Sequence, residues 1–567
     1  MGISLNWAAA EESPTKANSG SFLPGIWSAP VGEALRGLPV QDAGRIKPFD
    51  SFARELLEMI YGKTTLEGKP AYEVVLTWLL SPQAWQGKEL FEVRNHEVLK
   101  GLGLDPERRY FKGEEIFSNE RFSTLRQELQ EKRESKEKLT PYFQSLGRLE
   151  NQFYMFTEMA SGRLLKLVPE ASTIAQGAAA GPWVGVDRLE GETQAAFMVL
   201  SRKFIERIGV MAQKGSHEDL LRASEELDLA VGEFKRKARE SSPNLYPSDG
   251  LADLEVHYNL FHPFRWSYIF YLLAAFLLLF VWITDKGRLM PGVWALFGIG
   301  FLLHIYGFGL RVYLAGRAPV SNMYETVVWV SFGSVLFAAI LEIIYRFKFI
   351  LLAGLCVGIF GMVVAGSAPA ILDPSLQPLE PVLRSNYWLT IHVMTITISY
   401  AAFFLAMMLG DMALFYTIRG EVANREKLKA LTLAIYRAKQ IGVSFLAPGI
   451  ILGGIWADYS WGRFWGWDPK ETWALIVLLG YIAVLHGRMV GWIRDFGMAV
   501  SAVLTFSLVI MAWYGVNFVL GAGLHSYGFG AGGIEYVAAF VFLHFLFVVY
   551  TVLVRRARAQ LQSQTKT

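Results

Sequence analysis

WSYIFYLLAAFLLLFVWIT, residues 266–284, carries no charged side chain. A helix needs about 20 mostly apolar residues to cross the ~30 Å hydrocarbon core of a bilayer, so this stretch reads as a membrane span. Toward the C-terminus eight more follow, at about 292–313, 327–345, 349–366, 388–410, 442–456, 471–489, 496–518 and 534–554. The sixth is short and holds Pro448, Gly449, Gly453 and Gly454, which predicts a bent or partly re-entrant segment. Toward the N-terminus the character changes. Residues 1–264 hold 32 Lys+Arg and 38 Asp+Glu, whereas residues 265–567 hold only 22 and 13. The fold class is therefore all-α: a polytopic membrane helical bundle of about nine spans, with an N-terminal extracytoplasmic, mainly helical domain. The boundaries are a flexible segment at 1–30, the helical domain at 31–264, the membrane domain at 265–558 and a cytoplasmic tail at 559–567.

Orientation follows from Lys and Arg. With the C-terminus inside, 16 of them flank the inner span ends and 6 the outer ends, as the positive-inside rule requires. Nine spans then put residues 31–264 outside. No basic segment followed by an apolar core precedes them, so either an upstream segment is absent or the first span draws the domain across. Within that domain Ser216 to Asp219 reads as a helix cap ahead of Leu220, Leu221, Leu227 and Leu229. The net charge of +3 and the lack of a basic run interleaved with aromatics exclude nucleic acid as a partner. The single cysteine, Cys356, excludes a disulfide framework, a CxxC pair and a CxxCH haem-attachment site within this chain; it reads as core packing. Glu342 and Asp411 read as solvated at inner span ends.

The chemistry concentrates between spans six and seven, in WADYSWGRFWGWDPKETW, residues 456–473. Trp456, Trp461, Trp465, Trp467 and Trp473 are five of the chain's 17 tryptophans. An interfacial belt places one or two aromatics at a span end. Five, with Gly462, Gly466, Asp468 and Pro469 between them, read instead as a platform for a planar ligand, because small residues admit a flat partner and indole faces stack on it. Asp468-Pro469 would turn the chain into span seven. Two imidazoles lie on the same side, His392 at the outer end of span five and His525 in the loop after span eight. A flat face with two imidazoles suits a bis-histidine haem. His486, His304 and His544 lie within spans, where an ionisable group is a functional candidate by default; a structural hydrogen bond is the alternative for each. Arg463 and Lys470 flank the platform and could meet carboxylates. Glu325 in SNMYE could orient a ligand or cap a helix.

WGRFWGWDPKETWAL, the LHGR that follows it, and GRAPVSNMYET at 316–326 resemble the CcsA/ResC type of cytochrome c assembly protein, a cytochrome c synthase of the haem-handling superfamily named for its WWD segment. The resemblance covers roughly residues 292–550. It implies that haem b passes through a membrane site to an outer site beneath the WWD segment. There it would meet the CxxCH thiols of an apocytochrome c and form two thioether bonds. By motif, His392 and His525 are similar to the outer axial histidines and His486 to the membrane histidine. The second membrane histidine of the family comes from a partner, a CcsB/ResB-type membrane subunit; His304 is a candidate local substitute. Other implied partners are thiol-reducing proteins and the membrane lipid. GRIKPFDSFARE, residues 44–55, is similar to a stretch of larger or fused members. Two further classes share parts of this pattern: a haem exporter or chaperone scaffold without ligation activity, and a non-haem solute transporter, which would carry paired interrupted helices in two halves.

Overall fold

The computed structural model describes residues 33–135, 137, 139–170, 182–243, 245–247, 249–368, 371–378, 386–521 and 533–564. It separates into two units, one ending at Val256 and one beginning at His257.

The N-terminal unit is mainly helical, with its core built on the helices Phe49–Tyr61, Ala71–Leu80 and Pro141–Ala160. Trp78 is fully buried at the centre, edge-on to Trp85 and Phe156. Four two-stranded antiparallel pairs decorate this core, a feature that the reading of the region as helical patterns missed: β1 (Pro39–Asp42) with β2 (Arg45–Pro48), β3 (Thr65–Leu66) with β4 (Lys69–Pro70), β5 (Glu89–Glu92) with β6 (Tyr110–Lys112), and β7 (Lys166–Pro169) with β8 (Trp183–Gly185). The first two close through Ala43-Gly44 and Glu67-Gly68, with positive φ at both residues of each pair. That is the twist a two-residue hairpin needs, but without the Asn or Asp that normally announces it. GRIKPFDSFARE forms β2 and the helix after it. Its Lys47 is buried between Asp42 and Glu55, at 2.8 and 2.5 Å. Ser216 caps helix His217–Ser241 in a reciprocal box with Asp219. On that helix Leu227 is buried and Leu229 is 74% exposed, so the apolar stripe is narrower than its leucines suggest.

The membrane unit contains, among the described residues, nine helices long and apolar enough to cross a bilayer. They are α1 (Pro263–Thr284), α2 (Met290–Ala315), α3 (Met323–Tyr345), α4 (Phe349–Ser367), α5 (Asn386–Arg419), α6 (Arg425–Trp461), α7 (Pro469–Met489), α8 (Asp495–Leu520, of which Asp495–Ile510 is α-helical) and α9 (Ile534–Gln564). The protein is an all-α polytopic membrane protein. Helix α1 packs on α2 and α4, α3 on α4 and α5, and α5 on α6 and α8. Small residues permit these contacts, as is usual between helices in lipid: a Cβ on Gly354 would fall 2.1 Å from that of Ala338, and one on Gly410 2.9 Å from that of Ala502.

Three readings of this part are corrected. The sixth span is neither short nor re-entrant: α6 runs unbroken for 37 residues with Pro448 inside it, about 55 Å at 1.5 Å per residue. Cys356 is exposed on the bundle surface rather than packed in its core, because α4 turns that side outward. Glu342 and Asp411 are not solvated. Glu342 is 3% exposed and accepts hydrogen bonds from the backbone N–H of Lys348 and Leu351, at 2.6 and 3.3 Å, which ties off the start of α4. Asp411 lies 3.4 Å from His544 Nε2, tethering α9 to α5.

Two predictions follow from buried charge. Arg311 and Glu325 form an ion pair at 2.7 Å with both side chains 1% exposed. Arg311→Met leaves a buried carboxylate and should cost about 3–5 kcal/mol, read as a loss of thermal stability in detergent. In the N-terminal unit, burial pushes the Glu73 carboxyl up to about 7 against the pull of Arg207, 3.7 Å away. A carboxyl that holds its proton more tightly when folded stabilises fully below its ordinary value of 4.5, and that contribution is lost as pH rises toward 7. Amide protection factors of this unit in the intact chain, with the intrinsic base-catalysed rate divided out, should fall over that window, and Glu73→Gln should flatten the fall.

Candidate functional site

One cleft in the membrane unit gathers several of the residues singled out above. It is lined by His392 from α5, by Trp456 near the end of α6, by Phe464 and Trp465 from the segment joining α6 to α7, by Lys470 in the first turn of α7, and by residues of the stretch Arg317–Met323 that leads into α3. Its cavity volume is about 210 Å³, below the ~300–1,000 Å³ of pockets that swallow a small molecule whole. A large planar ligand would therefore be gripped by part of its body and protrude at the mouth.

His392 is held at two points. Its Nδ1 lies 2.9 Å from the Gly449 carbonyl oxygen. A carbonyl can only accept, so Nδ1 carries the proton and the lone pair sits on Nε2, the arrangement of a metal-ligating imidazole braced from behind. Its ring is parallel to that of Trp456, 9° between planes and 6.3 Å between centroids. Glycine makes this approach possible: a Cβ on Gly453 would lie 2.4 Å from His392 Cε1, and one on Gly454 2.5 Å from Phe464 Cζ.

The five tryptophans do not form one flat surface. Trp456 is 1% exposed and meets Trp461 edge-on at 4.7 Å. Trp465 meets Trp467 nearly at right angles, 5.9 Å apart. Trp467 is 70% exposed and takes φ 56°, a conformation a bulky residue rarely adopts. Trp473 packs against the core around α5. Trp456 and Trp465 are the two that line the cleft. Asp468 is a helix cap: its carboxylate accepts from Lys470 N at 3.0 Å, Glu471 Oε2 accepts from Asp468 N at 3.2 Å, and Pro469 opens α7. Arg463 is paired at 3.0 Å with Glu471, which lines the cleft, and lies over the Trp461 ring; Arg463 itself is not among the lining residues, whereas Lys470 is.

His304, His486 and His544 are not among the residues that line the cleft. His525 falls outside the described residues. His486 is exposed, one turn from the end of α7, with Nδ1 donating to the Ile482 carbonyl at 2.9 Å. His304 is fully buried at mid-length of α2, enclosed by Phe264, Tyr271, Phe308 and Phe332. The structure does not bring His304 and His486 together. His544 donates from Nδ1 to the Phe540 carbonyl at 2.7 Å and faces Asp411.

Glu325 ties down the start of α3 and is not among the residues that line the cleft. Its Oε2 accepts from Ser321 N and Oγ at 2.9 and 2.7 Å, ahead of α3, while Oε1 takes Arg311. Arg311 also donates to the carbonyls of Pro374 and Ser375, at 2.8 and 3.4 Å, Arg317 donates to that of Gln377, and Asn322 to that of Asp373 at 3.3 Å. GRAPVSNMYET is thus a cleft wall fastened to the chain after α4. Sequence reasoning overlooked Arg317 and the end of the eighth span, where Trp513 and Asn517 line the cleft. The signal available was an amide one turn beyond an indole inside an apolar run.

A sequence model of the family described as Cytochrome C assembly protein matches residues 320–525. The Cytochrome c biogenesis protein CcsA of Synechococcus sp. strain WH7803 is 32% identical over 304 residues, covering 45% of this chain and 93% of CcsA. The chain belongs to the CcsA family of cytochrome c biogenesis proteins. The family extends to Chlamydomonas reinhardtii, whose CcsA is 33% identical over 243 residues, 41% of this chain and 67% of that protein. Protein NrfI of Wolinella succinogenes is 30% identical over 514 residues, 86% of this chain but 53% of NrfI. The chain therefore spans about half of NrfI, and the similarity reaches beyond the membrane unit into the N-terminal one.

Gly453→Ala tests how the site is built. The added methyl should push the His392 ring off the Gly449 carbonyl at a cost of about 1–3 kcal/mol. The expected outcome is a lowered melting temperature, together with loss of the Nδ1 hydrogen bond as read by imidazole nitrogen NMR.

Proposed function

We propose that this chain carries haem b to the outer side of the bacterial inner membrane and attaches it covalently to the CxxCH motif of apocytochrome c. The observation that carries the proposal is His392, braced by a backbone carbonyl with its lone pair on Nε2, in a cleft beside Trp456 and Trp465. His392 and His525 are the two outer axial ligands in this reading. Ligation from both faces keeps other oxygen ligands off the iron and sets its potential. His486, on an exposed face of α7, is the membrane ligand, and a CcsB/ResB-type subunit supplies its opposite number. The enclosure of His304 among four aromatic rings favours the partner over His304 as that source. The N-terminal unit and the WWD segment are extracytoplasmic and the C-terminus cytoplasmic.

The chemistry needs positioning more than acid or base. A cysteine S–H adds across each haem vinyl group: sulfur bonds the α-carbon, the thiol proton ends on the β-carbon, and the π bond is consumed with no net oxidation. Ferrous iron and free thiols, kept reduced by separate proteins, are the preconditions. Holding both partners at contact distance supplies much of the rate. Haem carboxylates require cations, and Lys470 and Arg317 line the cleft.

The purified chain should show a bis-histidine Soret spectrum. His392→Ala and His525→Ala should each lower outer haem occupancy at least tenfold, in line with ~10–100-fold losses even for groups one shell further out, and added imidazole should restore it. His486→Ala should deplete haem arriving from inside. Unchanged spectra in both outer variants would remove those ligands. Haem-loaded protein that gives no covalent product with a CxxCH apocytochrome, in cells otherwise lacking the pathway, would reduce the assignment to haem carriage.

A further inference from the structure

Helix α8 does not stay α-helical to its end. Met511–Leu520 forms a π-helix, a widened turn that is rare and frequent at functional sites. Its Ala512, Trp513 and Asn517 line the cleft. Asn517 is 8% exposed. Its Nδ2 donates to the Trp513 carbonyl at 3.2 Å and lies 3.8 Å from Met323 Sδ. Because that carbonyl can only accept, the amide orientation is fixed. Oδ1 is the atom left over, and it has no partner among the described residues. The Trp513 indole N–H likewise has none among them. A buried acceptor left unsatisfied is costly, so the cleft favours a ligand that brings a donor to this point.

The two substrates differ in what they bring. The ionised carboxylates of haem are acceptors only. They suit the Trp513 N–H and the cations Arg317 and Lys470, but they would face Asn517 Oδ1 acceptor to acceptor. A cysteine-bearing polypeptide offers backbone N–H and S–H donors. We propose that Asn517 is a polypeptide-contacting residue: its Oδ1 accepts a hydrogen bond from an N–H or S–H of the incoming cysteine-bearing segment and holds that segment in register with the haem edge. The inference rests on the haem-attachment reading above and marks which wall of the cleft belongs to the second substrate.

The test uses the full chain loaded with ferrous haem and titrated with a synthetic CxxCH peptide. Asn517→Leu keeps the bulk and removes the acceptor. It should raise the half-saturating peptide concentration roughly tenfold, the factor that corresponds to ~1.4 kcal/mol for one hydrogen bond, while a Soret titration gives unchanged haem affinity. Unchanged half-saturation, or a shift in haem affinity in its place, overturns the proposal. A second measurement does not depend on that variant folding. In a Cys356→Ala background, Ala512→Cys should trap the peptide thiols as a mixed disulfide under mild oxidation, and no adduct also overturns the proposal. A wild-type chain with no Soret band would instead defeat the haem-attachment reading itself.

Discussion

The cleft depends on how closely α5 and α6 approach. Three glycines of α6 face three side chains of α5: Gly442 meets Phe403, Gly449 meets Ile396, and Gly453 meets His392. The steps are seven and four residues on both helices and run in opposite directions, so this is one antiparallel seam with glycine as its holes. Side chains at those positions would hold the axes apart. The His392 ring could then no longer reach the Gly449 carbonyl, and Trp456 would lose its parallel neighbour. Pro448 sits beside this seam and cannot donate to the Ser444 carbonyl, yet the helix continues, held in place by packing along its length. The histidine geometry is thus a consequence of backbone approach, set well before any ligand arrives.

A second constraint comes from polar groups that the apolar surroundings do not solvate. Arg311 is buried on α2 and spends its donors on Glu325, Tyr258 and the carbonyls of Pro374 and Ser375. Glu325 passes the restraint to Ser321. This network is an expensive way to gain stability, since buried ion pairs seldom exceed a well-packed apolar substitute. What it gains is position. It fixes the Arg317–Met323 stretch as the wall facing His392, and Met323 in turn lies against Asn517. The buried pair and the π-helix therefore shape one wall from opposite ends.

The sequence carried the membrane spans because uninterrupted apolar length is a one-dimensional property. It carried Asp468-Pro469 as a turn because capping is local, and the structure shows the reciprocal cap with Glu471. What depends on two segments meeting was illegible. Proline and glycine in α6 read as breakage, whereas the glycines are contact points with α5. Tryptophan density read as a stacked platform, whereas the rings meet edge-on and only part of the set turns inward. Glu342 and Asp411 read as solvated because a helix end looks open in sequence; a neighbouring helix start and an imidazole occupy them instead. His304 read as a local partner for His486 because both lie within spans, but one is at mid-length of α2 and the other one turn from the end of α7. The π-helix was not legible either, since ten residues inside a continuous apolar run read as part of the span whatever their turn.

A cavity that encloses only part of a large planar molecule is well suited to a joining reaction. Full enclosure would bind haem tightly but hide the edge that must meet a thiol. A cleft of about 210 Å³ walled by an imidazole and three indoles could hold one face of such a molecule and leave a rim open. The polar groups then sort by chemistry. Cations and an indole N–H suit an acceptor-only ligand, while an amide oxygen fixed by its own helix suits a donor-bearing one. On the proposed reading, an acceptor-only ligand and the donors of a polypeptide would meet different walls of one small site.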